Sequence, residues 1–149
     1  MKKFKFRLES LLKVKEHLER ERQKEHAEAR ERVARQRDRL SGLDAQRQTT
    51  VRQQRERLTG DISVADLLVC SRYLVKLKSS TMEGTEILRG LEAEADQSRD
   101  RLIDASRQKK IYDKLRERQR EKYLEELKRL ENKEIDEIAT NSRRRQKGD

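Results

Sequence analysis

Proline is absent from all 149 residues, and tryptophan is absent too; glycine occurs five times and cysteine once. Without proline, nothing fixes a kink inside a long helix. With two Phe and three Tyr as the only aromatics and 32% hydrophobic residues, a thick globular core cannot be filled. One cysteine forms no internal disulfide, which points to a reducing cytoplasm. It sits at Cys70 among apolar positions and reads as a small buried residue. No run approaches the roughly 18 apolar residues of a membrane span. The basic start Met1-Lys2-Lys3-Phe4-Lys5-Phe6-Arg7 leads into no uninterrupted hydrophobic segment, so neither a secretory signal nor membrane insertion is expected.

What remains is charge and helix formers. Asp, Glu, Lys and Arg make up 46% of the chain. Such a load can mean disorder, but the apolar residues stay in phase. From Leu67 the sequence steps by three and four through Cys70, Leu74, Leu77, Thr81, Gly84, Leu88, Leu91, Ala95, Ser98, Leu102, Ala105, Lys109, Tyr112, Arg116, Gln119, Tyr123 and Glu126 to Leu130. A seam repeating every 3.5 residues is buried by winding against another helix. A first seam runs from Phe4 through Leu8, Leu11, Lys15, Leu18, Arg22, Glu25, Ala29 and Val33 to Leu58. Additional four-residue steps near Val33 and Val51 break its phase and predict local unwinding.

Between the seams lies Leu58-Thr59-Gly60-Asp61-Ile62-Ser63. Gly60 in the left-handed conformation would end one helix. Asp61 or Ser63 would cap the next, with Ser63 and Asp66 at capping-box spacing. A turn this short joins antiparallel neighbours. The expected fold is all-α: one long antiparallel two-helix coiled-coil hairpin with unequal arms over residues 1–149. Helix one covers about 4–59, the turn about 60–63, helix two about 64–140, with a frayed tail at 141–149. Symmetric pairing places Phe4 opposite Glu117 or Arg118, so helix two runs on alone through Ile135 and Ile138. Gly84 and Gly90 lie inside helix two, where each costs roughly 1 kcal/mol against Ala. They read as tolerated weak points, with a hinge or a close-packing notch as the alternative.

Charge has a direction. Residues 1–59 carry 18 Lys/Arg against 10 Asp/Glu, residues 60–106 carry 6 against 9, and residues 107–149 carry 15 against 10. A hairpin brings the two basic segments together at its open end, which favours end-on docking to an acidic partner. Nucleic acid is not the expected partner. Acidic residues interleave with the basic ones, and no recognition-helix spacing or aromatic stacking platform is present. Catalysis is not expected either. His17 and His26 lie nine residues apart on different helix faces, and no phosphate loop, metal-ligand set or apolar-flanked acid–base pair exists, so no cofactor is anticipated.

The opening Phe4-Lys5-Phe6-Arg7-Leu8-Glu9-Ser10-Leu11-Leu12 resembles the start of FliJ proteins of the flagellar type III export apparatus. The run Lys109-Lys110-Ile111-Tyr112-Asp113-Lys114-Leu115-Arg116-Glu117 and the later Glu134-Ile135-Asp136-Glu137-Ile138-Ala139 resemble the C-terminal region of that family. The resemblance extends over essentially the whole chain. It implies a non-catalytic cytoplasmic protein, peripheral to the inner membrane and shaped like the central stalk of a rotary ATPase. Its implied partners are the flagellar export ATPase hexamer, the cytoplasmic domain of the export gate membrane protein, and free export chaperones. It implies ring contacts at Arg116, Arg118, Arg120, Lys122, Lys128 and Arg129, and gate contacts at Tyr73 and Leu77. Packing is an equal contender for Tyr73 and the stronger one for Leu77. A stalk from a virulence-type secretion system or a rotary ATPase would share this architecture and differ in partner.

Overall fold

The computed structural model describes residues 4–146, and the side chains of residues 4–143. Two helices account for nearly all of it: α1 (Glu9–Arg57) of 49 residues and α2 (Val64–Gln146) of 83 residues. They pack against each other as an all-α hairpin with unequal arms, and no strand occurs among the described residues. Glu9 and Asp66 stand in the first turns of their helices and Arg55 and Arg57 in the last turn of α1, each complementing the helix dipole. Packing divides into two compact units. In one, the residues up to Glu19 pack with those from Asp104 onward; the other comprises Arg20 to Ile103.

The ends of the helices differ from expectation in three places. α1 begins at Glu9, preceded by non-helical chain at Phe4–Leu8. No glycine among the described residues has a positive φ, so Gly60 is not a left-handed cap. α1 instead closes by tightening: Leu58 N donates to Arg55 O at 3.1 Å, Thr59 N to Glu56 O at 3.2 Å, and the Thr59 hydroxyl to the same Glu56 O at 2.7 Å. These i→i+3 bonds satisfy carbonyls that a Gly cap would otherwise serve. Ser63 does cap α2, its hydroxyl accepting from Asp66 N at 3.4 Å. Asp66 turns its carboxylate to Arg57 across the turn, at 3.8 Å. At the far end α2 is helical through Gln146, and 147–149 of the expected tail lie outside the described residues.

In the unit of Arg20 to Ile103, the α2 seam is as anticipated. Cys70, Leu77, Gly84 and Ser98 are buried, with Leu67, Leu74, Thr81, Leu88, Leu91, Ala95 and Leu102 half-buried between them. On α1 the register is cleaner than apolarity alone implies. Ala29, Val33, Gln36 and Thr50 are buried, and Arg22, His26, Leu40, Leu43 and Gln54 half-buried. The steps of three and four therefore continue unbroken through Val33, with an exposed Arg47 before Thr50, and the expected phase breaks do not occur. Polar residues hold seam positions because each has a partner. His26 Nδ1 lies 2.9 Å from Ser98 Oγ, Thr50 Oγ1 donates to Gln46 O at 2.8 Å, and Gln36 Nε2 donates to Gly84 O at 2.8 Å. A hydrogen-bonded polar group in a seam avoids the desolvation penalty that would otherwise exclude it.

Gly84 is a close-packing notch. A Cβ there would stand 2.8 Å from Leu40 Cδ2 and 3.1 Å from Gln36 Nε2, whereas a Cβ at Gly90 would meet nothing within 4 Å. Gly90 is the tolerated weak point; at Gly84 side chains of α1 pack directly on the backbone of α2.

Candidate functional site

The unit built from the residues up to Glu19 and from Asp104 onward holds the expected docking end. Its core is small: Phe6, Leu12 and Ala105 are buried, with Leu8, Leu18, Lys109 and Tyr112 half-buried. Leu12 is only 1% exposed while Leu11 is 45% exposed, so the seam passes through Leu12 rather than Leu11. The next turns are polar. Lys15 Nζ donates to Gln108 Oε1 at 2.7 Å. Glu19 accepts from the Ser106 hydroxyl at 2.6 Å through one oxygen and pairs with Lys109 Nζ at 2.9 Å through the other. The Ser106 hydrogen bond, followed by the Lys109 ammonium, holds the Glu19 carboxyl below its ordinary value. Glu19 in turn raises Lys109 above the ordinary amine range.

The segment before α1 reaches further along α2 than symmetric pairing implies. Phe4 packs on Tyr123, ring centroids 5.6 Å apart and planes tilted by 47°. The expected neighbours were Glu117 or Arg118. Non-helical chain advances up to about 3.3 Å per residue against about 1.5 Å in a helix, so the segment ahead of the turn at Arg7–Leu8 reaches about one turn further than a helix would. Phe4, Lys5, Phe6 and Glu9 form one wall of a groove whose other wall is Asp113, Arg116, Glu117 and Arg120. Phe4, the first described residue, sits at Tyr123, and one turn on Leu127 is still half-buried. Leu124, Leu130, Ile135 and Ile138 are exposed, from 45% at Leu124 to 69% at Ile138.

The six expected ring-contact cations are all exposed, but they do not form one patch. Arg116 and Arg120 flank the groove beside the N-terminal segment, and Arg116 also pairs with Asp113 at 3.7 Å. Arg118 and Lys122 lie about 200° around the helix from them, at roughly 100° per residue. Lys128 and Arg129 follow Tyr123, in the uncovered stretch. The basic excess ends near Tyr123. Residues 107–123 carry eight Lys/Arg against three Asp/Glu, whereas residues 124–149 carry seven against seven, the acidic excess of 124–143 being offset by Arg144, Arg145 and Lys147. Summing the charge over the whole C-terminal third conceals that change.

The two expected gate-contact residues belong to the other unit. Tyr73 is exposed, its hydroxyl 3.4 Å from Gln46 Oε1 on α1. Leu77 is 4% exposed and occupies the seam. They are four residues apart on α2, yet only Tyr73 presents a surface. Among the described residues no cluster of metal-ligating side chains occurs, and no helix is long and apolar enough to cross a membrane. The Glu19 network and the buried Phe6 were not singled out from the sequence. A carboxylate at a seam position, one heptad before His26, was the available signal for the former.

These features agree with one family. The chain matches the family described as "Flagellar FliJ protein" over residues 4–148, nearly its whole length. No curated protein and no solved structure matches the chain. The extent of the family match and the unequal helical hairpin together place the chain in the FliJ family, a component of flagellar type III protein export.

Proposed function

We propose that this chain is a non-catalytic, stalk-like component that promotes assembly and activity of the export ATPase hexamer. The observation that carries the reading is the uncovered end of α2. A FliJ-family hairpin whose second helix continues for more than five turns past Tyr123 presents a single helix suited to entering a ring. Arg116, Arg118, Arg120, Lys122, Lys128 and Arg129 supply ring contacts on several sides of that helix, as a shaft surrounded by a ring would need. Tyr73 contacts the cytoplasmic domain of the export gate. Leu77 supports that contact from beneath, since burial in the seam removes its own surface. Export chaperones bind the same protein, which works at the cytoplasmic face of the inner membrane.

The test is ATP hydrolysis by the cognate export ATPase, with its oligomeric state followed by sedimentation, as this protein is added at low salt. Stimulation and a shift toward hexamer are expected. Arg116→Glu, Arg118→Glu and Arg120→Glu together should abolish both. Absence of stimulation by the wild-type chain would refute the reading, and an unchanged response to the triple variant would remove those three residues from the contact.

A further inference from the structure

The uncovered part of α2 is amphipathic in a way its overall charge conceals. At roughly 100° per residue, Tyr123, Leu124, Leu127, Leu130, Ile135 and Ile138 fall within one arc about 140° wide. Between Tyr123 and Arg143 the only charged residues inside that arc are Glu131 and Glu134, and neither takes part in an ion pair among the described residues. Lys128 flanks the edge of the arc. Arg129, Lys133 and Arg143 lie well outside it. The arc continues the face that the N-terminal segment covers, beginning at Tyr123 under Phe4. It is therefore the hairpin's own packing face, prolonged past Phe4, the first described residue of its intramolecular partner.

We infer that the surface covering this arc belongs to a folded protein partner that is apolar and carries Lys or Arg side chains opposite Glu131 and Glu134. An apolar stripe read at i, i+3, i+4 and i+7 is the pattern by which a helix lies in a groove. Carboxylates inside such a stripe are tolerated on burial only when paired with cations. An acidic groove, which the net charge of +10 would favour, is rejected by these two residues. On the reading proposed above, the partner is the lining of the export ATPase ring. The acidic partner groups then face the cations elsewhere around α2, and the basic ones face this arc.

The test uses the full-length chain and two charge-matched double variants. Glu131→Gln with Glu134→Gln neutralises the arc. Glu125→Gln with Asp136→Asn removes the same charge from the opposite side of the helix. Affinity is measured by calorimetry for the purified export ATPase. It is also measured for two designed amphipathic helical peptides, one Leu/Lys and one Leu/Glu. The arc variant should lose at least tenfold in affinity for the ATPase and for the Leu/Lys peptide, and the opposite-side variant less than twofold. The Leu/Glu peptide should not bind the wild-type chain. Equal losses in the two variants, or binding of the Leu/Glu peptide as tight as that of the Leu/Lys peptide, would overturn the inference. Peptide results as expected alongside no ATPase binding would overturn the choice of the ATPase as partner and leave the charge assignment standing.

Discussion

Replacing each helical glycine of α2 with alanine should give opposite results at two positions six residues apart. Alanine is favoured over glycine inside a helix by roughly 1 kcal/mol. At Gly90 nothing opposes that gain, because a Cβ there meets no atom within 4 Å. Gly90→Ala should therefore stabilise the hairpin by about 0.5–1 kcal/mol. At Gly84 the new Cβ would lie 2.8 Å from Leu40 Cδ2, well inside van der Waals contact. It would also lie 3.1 Å from Gln36 Nε2, whose bond to Gly84 O fixes that side chain. Forcing a methyl into a packed seam costs about 1–3 kcal/mol, and disturbing the Gln36 bond costs about 1 kcal/mol more. The net for Gly84→Ala is a destabilisation of roughly 1–3 kcal/mol, taking those costs against the propensity gain. Urea unfolding followed by helical circular dichroism resolves a difference of this size. A double-mutant cycle isolates its cause. In a Leu40→Ala background the nearest atom is gone, so Gly84→Ala should cost less than in the wild type, with a coupling of about 1 kcal/mol or more. If Gly84→Ala stabilises as much as Gly90→Ala, or if the cycle shows no coupling, the notch is not tight and the argument fails.

Two further outcomes follow from the unit that contains the termini. Leu12→Ala should cost about 2–3 kcal/mol and Leu11→Ala less than about 0.5 kcal/mol in the same unfolding assay, because only Leu12 is buried; the reverse order would put the seam back at Leu11. Glu19 titrates below its ordinary value of 4.5, so its contribution is present above that pH and lost as pH falls through its lowered value. Lys109 titrates above 10.5, so its contribution is present below that pH and lost as pH rises through its raised value. Glu19→Gln should therefore flatten the acid limb of a stability-versus-pH profile, and an unchanged acid limb would mean that the pairing carries no stability.

The seam of α2 was legible because its apolar residues recur without ambiguity between Leu67 and Leu91. Its later members, Lys109 and Tyr112, are half-buried, while Arg116, Gln119 and Glu126 keep the seam spacing but are exposed. The α1 register was harder to read. Adjacent leucines at 11 and 12 offer two phases, and the phase actually used carries Glu19, His26 and Thr50. Periodicity rules penalise such residues because they ignore the partners Ser106, Ser98 and Gln46 that satisfy them. The turn misled for a related reason: a glycine at the right place suggested a left-handed cap, but the Thr59 hydroxyl and two tightened backbone bonds close the helix without one. The reach of Phe4 to Tyr123 depended on residues 4–8 being non-helical, which their Phe-Lys-Phe-Arg-Leu alternation did not declare. Charge summed over long segments gave the right sign for the stretch around Arg116 and hid the balanced charge beyond Tyr123.

The Gln36–Gly84 bond and the His26–Ser98 contact act as two pins between the helices, and pins restrict how such a chain can vary in length. An inserted residue between Gly84 and Ser98 would rotate one pin by about 100° relative to the other unless α1 gained a matching residue between His26 and Gln36. Beyond Tyr123 no such matching is required. Homologues are therefore expected to differ in length chiefly at the far end of α2, where a turn added or lost changes reach toward a partner and leaves the alignment of the two helices untouched.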